Sequence, residues 1–387
     1  MTGINTKRIL IASGGTGGHF YPGLALANEL RARGGWEPLF LVKKGDISIG
    51  ILKENYYPYA EIDMVSLPRT LNPLPYLTFL YKFASSLAAC LRILNDFKPV
   101  FIFGTGSYIS FPAILAGYLK CTPCLIHESN AKLGLGNRLC ARFASGIALG
   151  LPIKENRFRD RSELVGTPIR EVFSVLTDPA QARGRFGLKE GEPVLLVFGG
   201  SQGAKWLNRA AARSVKKLKE KGLAFQVLHL TGKRDHAETL AFYSEQGLSG
   251  APFLKVLDYC EEMNSLYAAA ALTCCRSGAS TIAELLYLKK PAVLVPLPTS
   301  AGGHQLENAK VLAEAGAAVI VEESSDLDDR LETELERLLG TAAELKRMNA
   351  AFSGLNNLPD PMKAPENIIK IIKKLLDIET CGRAFML

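Results

Sequence analysis

Two glycine-rich turns constrain this chain more than any other feature. Ile9–Ala12 is a short apolar run that leads through Ser13 into Gly14-Gly15-Thr16-Gly17-Gly18-His19. Val194–Phe198 leads in the same way into Gly199-Gly200-Ser201-Gln202-Gly203-Ala204, almost two hundred residues later. A helical pattern follows each turn, the first expected to open at Tyr21-Pro22. A strand, a bare-backbone turn and a helix N-terminus together present N–H groups to an anion or a polar ligand. His19 adds a group that titrates near neutral pH and can move a proton.

The rest of the chain repeats this scheme in two halves. Strands are expected at Ile9–Ala12, Pro38–Val42, Val100–Phe103, Cys124–His127 and Gly146–Leu149, then at Val194–Phe198, Phe225–Leu230, Ala271–Cys274, Ala292–Pro296 and Ala318–Val321. Amphipathic stretches lie between them, among them Leu24–Arg33, Pro112–Leu119, Lys205–Glu220, Ser280–Leu288 and His304–Ala315. Alternating strands and helices predict parallel sheets covered on both faces. The expected fold class is therefore α/β, with two doubly wound, Rossmann-like domains facing a cleft and ligand at the carboxyl ends of the strands. The turn signal Gly166-Thr167-Pro168 and the proline-rich Leu355–Pro365 set domains at 1–168, 169–360 and 361–387. The last is a helix with an apolar face from Ile368 to Leu376 that is expected to pack back on the first domain.

With 48% apolar and 22% charged residues over 387 positions, each half can build its own core. Met1–Arg8 is polar and carries no signal-peptide core. No uninterrupted apolar run reaches about 18 residues, so no membrane-spanning helix is expected and the chain reads as cytosolic. The formal net charge is +8. Residues 1–168 hold 19 Lys and Arg against 11 Asp and Glu, whereas the remainder holds 27 of each. A one-sided basic balance suits nucleic acid or an anionic membrane. Pro75–Leu94 is rich in aromatic and aliphatic residues. It reads either as a core crossover helix or, with Arg69, Leu71 and Leu74 before it, as a lipid-facing surface. Cys121/Cys124 and Cys274-Cys275 lack the matched partners of a zinc site and read as reduced, structural thiols.

Other loops carry chemistry too. Phe20 and Ile109 stand where a dinucleotide fingerprint needs its third glycine, and no loop ends in Gly-Lys-Ser/Thr, so nicotinamide and ATP readings weaken. Arg276-Ser277-Gly278-Ala279-Ser280-Thr281-Ile282-Ala283-Glu284 is a strand end, a small turn and a helix start, suited to a diphosphate. Glu284, one turn in, reads either as an acceptor for a ribose diol or as a dipole-facing carboxylate. His127-Glu128-Ser129-Asn130 follows a strand, and His127 reads as either a ligand contact or a buried structural histidine. Gln305 and Asn308 lie one helical turn apart. The Asp326-Leu327-Asp328 triplet reads as a solvated helix start, and no dedicated metal site is expected.

Taken in order, Gly14–His19 with Pro22, Gly104–Pro112, His127–Asn130, Gly166–Arg170, Gly199–Ala204, Arg276–Glu284 and Gln305–Asn308 resemble the MurG family of peptidoglycan N-acetylglucosaminyltransferases, in glycosyltransferase family 28. The likeness runs from about residue 8 to about 375. It implies a two-domain GT-B fold. It also implies inverting transfer of N-acetylglucosamine from UDP-GlcNAc to the C4 hydroxyl of polyprenyl-diphosphate-linked N-acetylmuramoyl-pentapeptide.

By the same resemblance, Thr16, Gly17, Gly18, Asn130, Arg170, Ser201, Cys260, Ala279, Ser280, Thr281, Ile282, Ala283, Glu284 and Gln305 fall at donor-binding positions. His19 is the candidate base, with Glu128 as competitor or partner, and Tyr108 and Ser107 are assigned to the acceptor. No cofactor is required, and stimulation by a divalent ion stays open. The expected setting is peripheral, on the cytoplasmic side of the cell membrane, with no nucleic acid partner and with other cell-wall synthesis proteins as candidate partners. Ser107, Phe111, Ser129 and Thr167 depart from the family pattern on the acceptor side. A diacylglycerol glycosyltransferase and a non-catalytic nucleotide-sugar or lipid binder are the competing readings.

Overall fold

The computed structural model describes residues 6–14, 17–65, 68, 72, 74–200 and 203–384. Its contacts divide the chain into two compact units, Met1–Ile169 with Pro359–Leu387, and Arg170–Leu358.

The first unit runs β1 (Lys7–Ala12), α1 (Gly17–Arg33), β2 (Trp36–Lys43), α2 (Ser48–Glu54), β3 (Tyr59–Ile62), α3 (Leu74–Phe97), β4 (Phe101–Gly104), α4 (Ser110–Leu119), β5 (Cys124–Glu128), α5 (Leu135–Cys140), β6 (Gly146–Leu149) and β7 (Ser162–Leu164). Its strands form one parallel sheet in the order β3-β2-β1-β4-β5-β6-β7. Every residue of β4, β5 and β6 is buried. Strands with helices over both faces need unbroken apolar runs of this kind.

The second unit runs α6 (Pro179–Arg185), β8 (Val194–Phe198), α7 (Lys205–Glu220), β9 (Gln226–Leu230), α8 (His236–Glu245), β10 (Leu254–Leu257), α9 (Met263–Ala269), β11 (Leu272–Cys275), α10 (Ala279–Leu288), β12 (Ala292–Leu294), α11 (His304–Ala313), β13 (Ala318–Ile320), α12 (Leu327–Gly340) and α13 (Ala342–Ala351). Its parallel sheet has the order β10-β9-β8-β11-β12-β13. α7 buries Leu207, Ala211, Val215 and Leu218, a spacing of three and four that covers the sheet with one helical face.

The chain then returns to the first unit as α14 (Ala364–Ala384), which packs on α1 and β6. Ile368, Ile369, Ile371 and Ile372 are buried in one cluster with Phe20, Leu24 and Ala27 of α1. Full burial of one such side chain stabilises by roughly 1.5–3 kcal/mol, so this short face anchors the returning segment firmly.

One expectation is corrected. α1 opens at Gly17 and holds Pro22 inside its second turn. Ser13 Oγ lies within hydrogen-bonding reach of both the His19 carbonyl (3.0 Å) and the Phe20 carbonyl (3.3 Å), which gives the first turn an outside donor. α3 is 24 residues long with a window of mean hydropathy 1.4, long and apolar enough by composition to cross a membrane. In this unit it instead lies along the domain, with Phe79, Phe83, Leu87 and Leu91 packed on the core and Lys82 paired with Asp63 at 2.9 Å. Its other face leaves Leu77, Leu80 and Tyr81 at 62%, 58% and 74% exposure.

Candidate active site

In each sheet the strand order reverses once, between β1 and β4 and between β8 and β11. Loops leaving neighbouring strands in opposite directions open a crevice at that point. The two glycine turns follow β1 and β8. Thr105–Tyr108 follows β4, and Arg276–Gly278 follows β11.

In the first unit His19 joins both loops at the switch point. Its Nδ1 lies 2.8 Å from the Thr105 carbonyl. A carbonyl only accepts, so Nδ1 carries a proton, and in the neutral ring the lone pair therefore falls on Nε2. Gly23 leaves room for Ser13, whose Oγ a Cβ there would meet at 2.6 Å. Thr105 N donates to the Ala12 carbonyl (3.1 Å), and Ser110 Oγ donates to the same oxygen (3.2 Å), fixing the β4 loop to the end of β1. Gly106 has φ +88°, and a Cβ on it would meet Asn137 Nδ2 at 2.6 Å. Among the described residues the buried Ser107 Oγ has no hydrogen-bond partner, and neighbouring Tyr108 is 42% exposed.

Glu128 ends β5 and is buried. Its Oε1 accepts from Asn130 N (3.0 Å) and Asn130 Nδ2 (2.8 Å), while Oε2 accepts from Gly134 N (2.9 Å) and Asn137 Nδ2 (2.9 Å). Four donors fill the acceptor directions of a carboxylate, so this side chain ties the 129–137 loop together. Half-buried Asn130 sits on that brace. His127 is fully buried, with Nε2 donating to the Gly166 carbonyl (3.0 Å) and Nδ1 against Ser129 Oγ (3.3 Å). Burial lowers its pKa, so it is a neutral structural histidine. Gly17 opens α1, and a Cβ on Gly18 would meet no atom within 4 Å. Thr16 and Ser201 lie outside the described residues.

In the second unit Gly278 is the N-cap of α10, with extended backbone and no capping side chain. Ile282 N is the first to bond back, to the Gly278 carbonyl at 2.9 Å. The N–H groups of Ala279, Ser280 and Thr281 therefore have no acceptor within the helix, and the helix dipole adds positive potential there. Ile282 and Ala283 are buried beneath that turn. Ser277 Oγ donates to the Gln305 carbonyl (2.7 Å), and Gln305 Oε1 accepts from Leu297 N (2.9 Å), locking the turn to α11. Arg276 is spent on structure. It donates to the Val295 carbonyl (3.1 Å) and pairs with Glu323.

Glu284 is 7% exposed and projects from the second turn of α10. Arg170 NH2 approaches its Oε1 at 3.5 Å, and the Tyr267 hydroxyl donates to its Oε2 at 2.9 Å. Burial raises the Glu284 pKa, while Arg170 and Tyr267 hold it down. Tyr267 was not singled out in the sequence, where it is one aromatic residue in an alanine-rich helix. Cys260 is half-buried, and burial raises its thiol pKa. The described cysteines are free thiols, and burial pushes Cys274 up to about 12. The Asp326–Asp328 triplet begins α12, where Asp328 pairs with Arg213 at 2.6 Å. Among the described residues no group of three or more His, Cys, Asp or Glu side chains is placed to hold a metal ion.

Residues 9–149 match the model of the glycosyltransferase family 28 N-terminal domain, and residues 194–363 match that of the family 28 C-terminal domain. The chain is 39% identical over 369 residues to the UDP-N-acetylglucosamine–N-acetylmuramyl-(pentapeptide) pyrophosphoryl-undecaprenol N-acetylglucosamine transferase of Elusimicrobium minutum, covering 95% of this chain and 100% of that one. It is 35% identical to the protein of the same name from Halothermothrix orenii, covering 88% and 92%. Among solved structures, the crystal structure of Acinetobacter baumannii MurG superposes with a TM-score of 0.77 at 27% identity, covering 95% and 99%. A UDP complex of MnaA from S. aureus shares the fold, with a TM-score of 0.66 at 13% identity over 96% and 97%. The two-unit α/β architecture, the ordered loops and these matches agree that the chain is a member of glycosyltransferase family 28.

Proposed function

We propose that this chain is the inverting glycosyltransferase that moves N-acetylglucosamine from UDP-GlcNAc to the C4 hydroxyl of N-acetylmuramoyl-pentapeptide on a polyprenyl diphosphate, in peptidoglycan synthesis. The observation that carries the reading is the pair of switch-point loops, one with a histidine and one with an uncapped helix start, in a chain whose curated relatives carry that activity in their names.

The second unit takes the donor. Arg170 and the free N–H groups of Ala279, Ser280 and Thr281 offset charge on the leaving diphosphate. Glu284 accepts from the ribose diol, the backbone at Cys260 reads uracil, and Gln305 and Ser201 contact the rest of the nucleotide sugar. Thr16, Gly17, Gly18 and Asn130 complete the donor set. The first unit takes the acceptor at Ser107 and Tyr108, and the unpartnered hydroxyl of Ser107 favours a polar ligand there.

The acceptor C4 oxygen attacks the sugar C1, the C1–O bond to UDP breaks, and the hydroxyl proton passes to Nε2 of His19. The proton held on Nδ1 by Thr105 supports that assignment, whereas the four bonds already made by Glu128 support a bracing role. The reaction needs no cofactor. The exposed apolar face of α3 and the basic charge of the first unit support peripheral attachment to an anionic membrane. The test is turnover of labelled UDP-GlcNAc with a lipid I analogue and with diacylglycerol. Sugar transfer to diacylglycerol alone would overturn the reading.

A further inference from the structure

We propose that Tyr267 is a positioning residue for the donor, holding the Glu284 carboxylate in the attitude that receives the ribose diol. The inference rests on the reading that Glu284 takes the ribose. Tyr267 is wholly buried on α9, and among the described residues its hydroxyl has Glu284 Oε2 as its hydrogen-bond partner, at 2.9 Å. A buried phenol needs such a partner, so the contact fixes the carboxylate plane as well as the phenol. Arg170 stands by the other oxygen at 3.5 Å. One acceptor direction per oxygen is thereby occupied, and the remaining pair is left for two adjacent hydroxyls.

The ring does further work. It lies edge-on to Phe198 at 5.7 Å and tilted against Phe173 at 5.9 Å. Phe198 is the last residue of β8, directly before the second glycine turn. Phe173 carries the Arg170 guanidinium over its own ring at 5.4 Å. One phenol therefore braces the carboxylate, the arginine and the strand end of the glycine turn. Among the described residues the Tyr267 hydroxyl and Arg170 are the two side chains bonded to the Glu284 carboxylate, so losing the hydroxyl leaves Arg170 to draw it over.

Tyr267→Phe keeps the ring and its packing and removes only the bond. Steady-state kinetics with a lipid I analogue would compare UDP-GlcNAc with its 2′-deoxyribose counterpart. The wild type is expected to show a KM about 10-fold higher for the deoxy donor, the size of one lost charge-assisted bond. Tyr267→Phe is expected to raise KM for UDP-GlcNAc about 10-fold, with kcat within about 2-fold, and to raise KM for the deoxy donor, which keeps only the 3′-hydroxyl, by a smaller factor. In a Glu284→Ala background the same substitution should add no further loss. An equal rise for both donors, a collapse of kcat, or an added loss in the Glu284→Ala background would overturn the positioning role while leaving the ribose reading intact. A wild type indifferent to the 2′-hydroxyl would overturn the ribose reading and this proposal with it.

Discussion

Replacing Lys290 by Met should make the second unit more stable near neutral pH. Lys290 follows α10, and its Nζ donates to the Ala270 carbonyl at 2.9 Å. Burial first, and repulsion from Arg183 second, lower its pKa from 10.5 to about 8. That drop amounts to about 3 kcal/mol of bias against the ammonium in the folded chain. Met fills a similar volume and loses one hydrogen bond, about 1 kcal/mol. The net gain at pH 7 is therefore about 2 kcal/mol. Between pH 8 and 10.5 the unfolded wild type holds a proton that the folded wild type has released. Wild-type stability accordingly climbs with pH through that window, relative to the variant, and the advantage of Met disappears by its upper end. The assay is urea unfolding from pH 7 to 10.5, followed by Trp206 fluorescence in a Trp36→Phe background, which leaves one tryptophan and places it in the second unit. A wild-type-to-variant difference that stays constant across the range, or a variant less stable at pH 7, would refute the reasoning.

Other perturbations read the site directly. His19→Ala should lower kcat by about 10²–10⁴-fold while donor KM stays within a few-fold, and near-normal turnover would remove it as base. Glu128→Gln turns an amide NH2 toward groups that are all donors, so it should cost about 1–3 kcal/mol in thermal stability. Lost turnover with an unchanged melting temperature would instead make Glu128 the base. Gly106→Ala meets both a positive φ and the Asn137 amide, and should raise acceptor KM with donor KM unchanged. Leu77→Glu with Leu80→Glu should abolish sedimentation with anionic vesicles, and wild-type binding should weaken with salt. Salt-independent partitioning would count against an electrostatic contribution.

The central strands were legible in the sequence because burial on both faces leaves continuous apolar runs such as Val194–Phe198. The strands that escaped notice, β3 and β10, lie at sheet edges, where Tyr59–Ile62 and Leu254–Leu257 keep one side in solvent and mix polar residues into short segments. The start of α1 was hidden by its glycines and by Pro22, whose local preference suggested a later opening. Spacing exposed the ligand loops but not their internal bracing. The donors around Glu128 converge from Asn130, Gly134 and Asn137, and Tyr267 reaches Glu284 from a different helix. Such convergence is a property of packing, and a linear pattern does not carry it.

The return of α14 sets an order of assembly. A ribosome delivers β1 through β7 early, but Ile368–Ile372, which cap the face of α1 around Phe20 and Leu24, follow only after the whole second unit. At about 5–20 residues per second the first unit waits roughly 10–40 s for its last layer. The second unit, continuous in sequence, is free to fold while the first still shows the apolar face of α1 to solvent. A fragment ending at residue 169 would lack Ile368–Ile372 and leave the α1 residues they cover, Phe20 and Leu24 among them, without that layer.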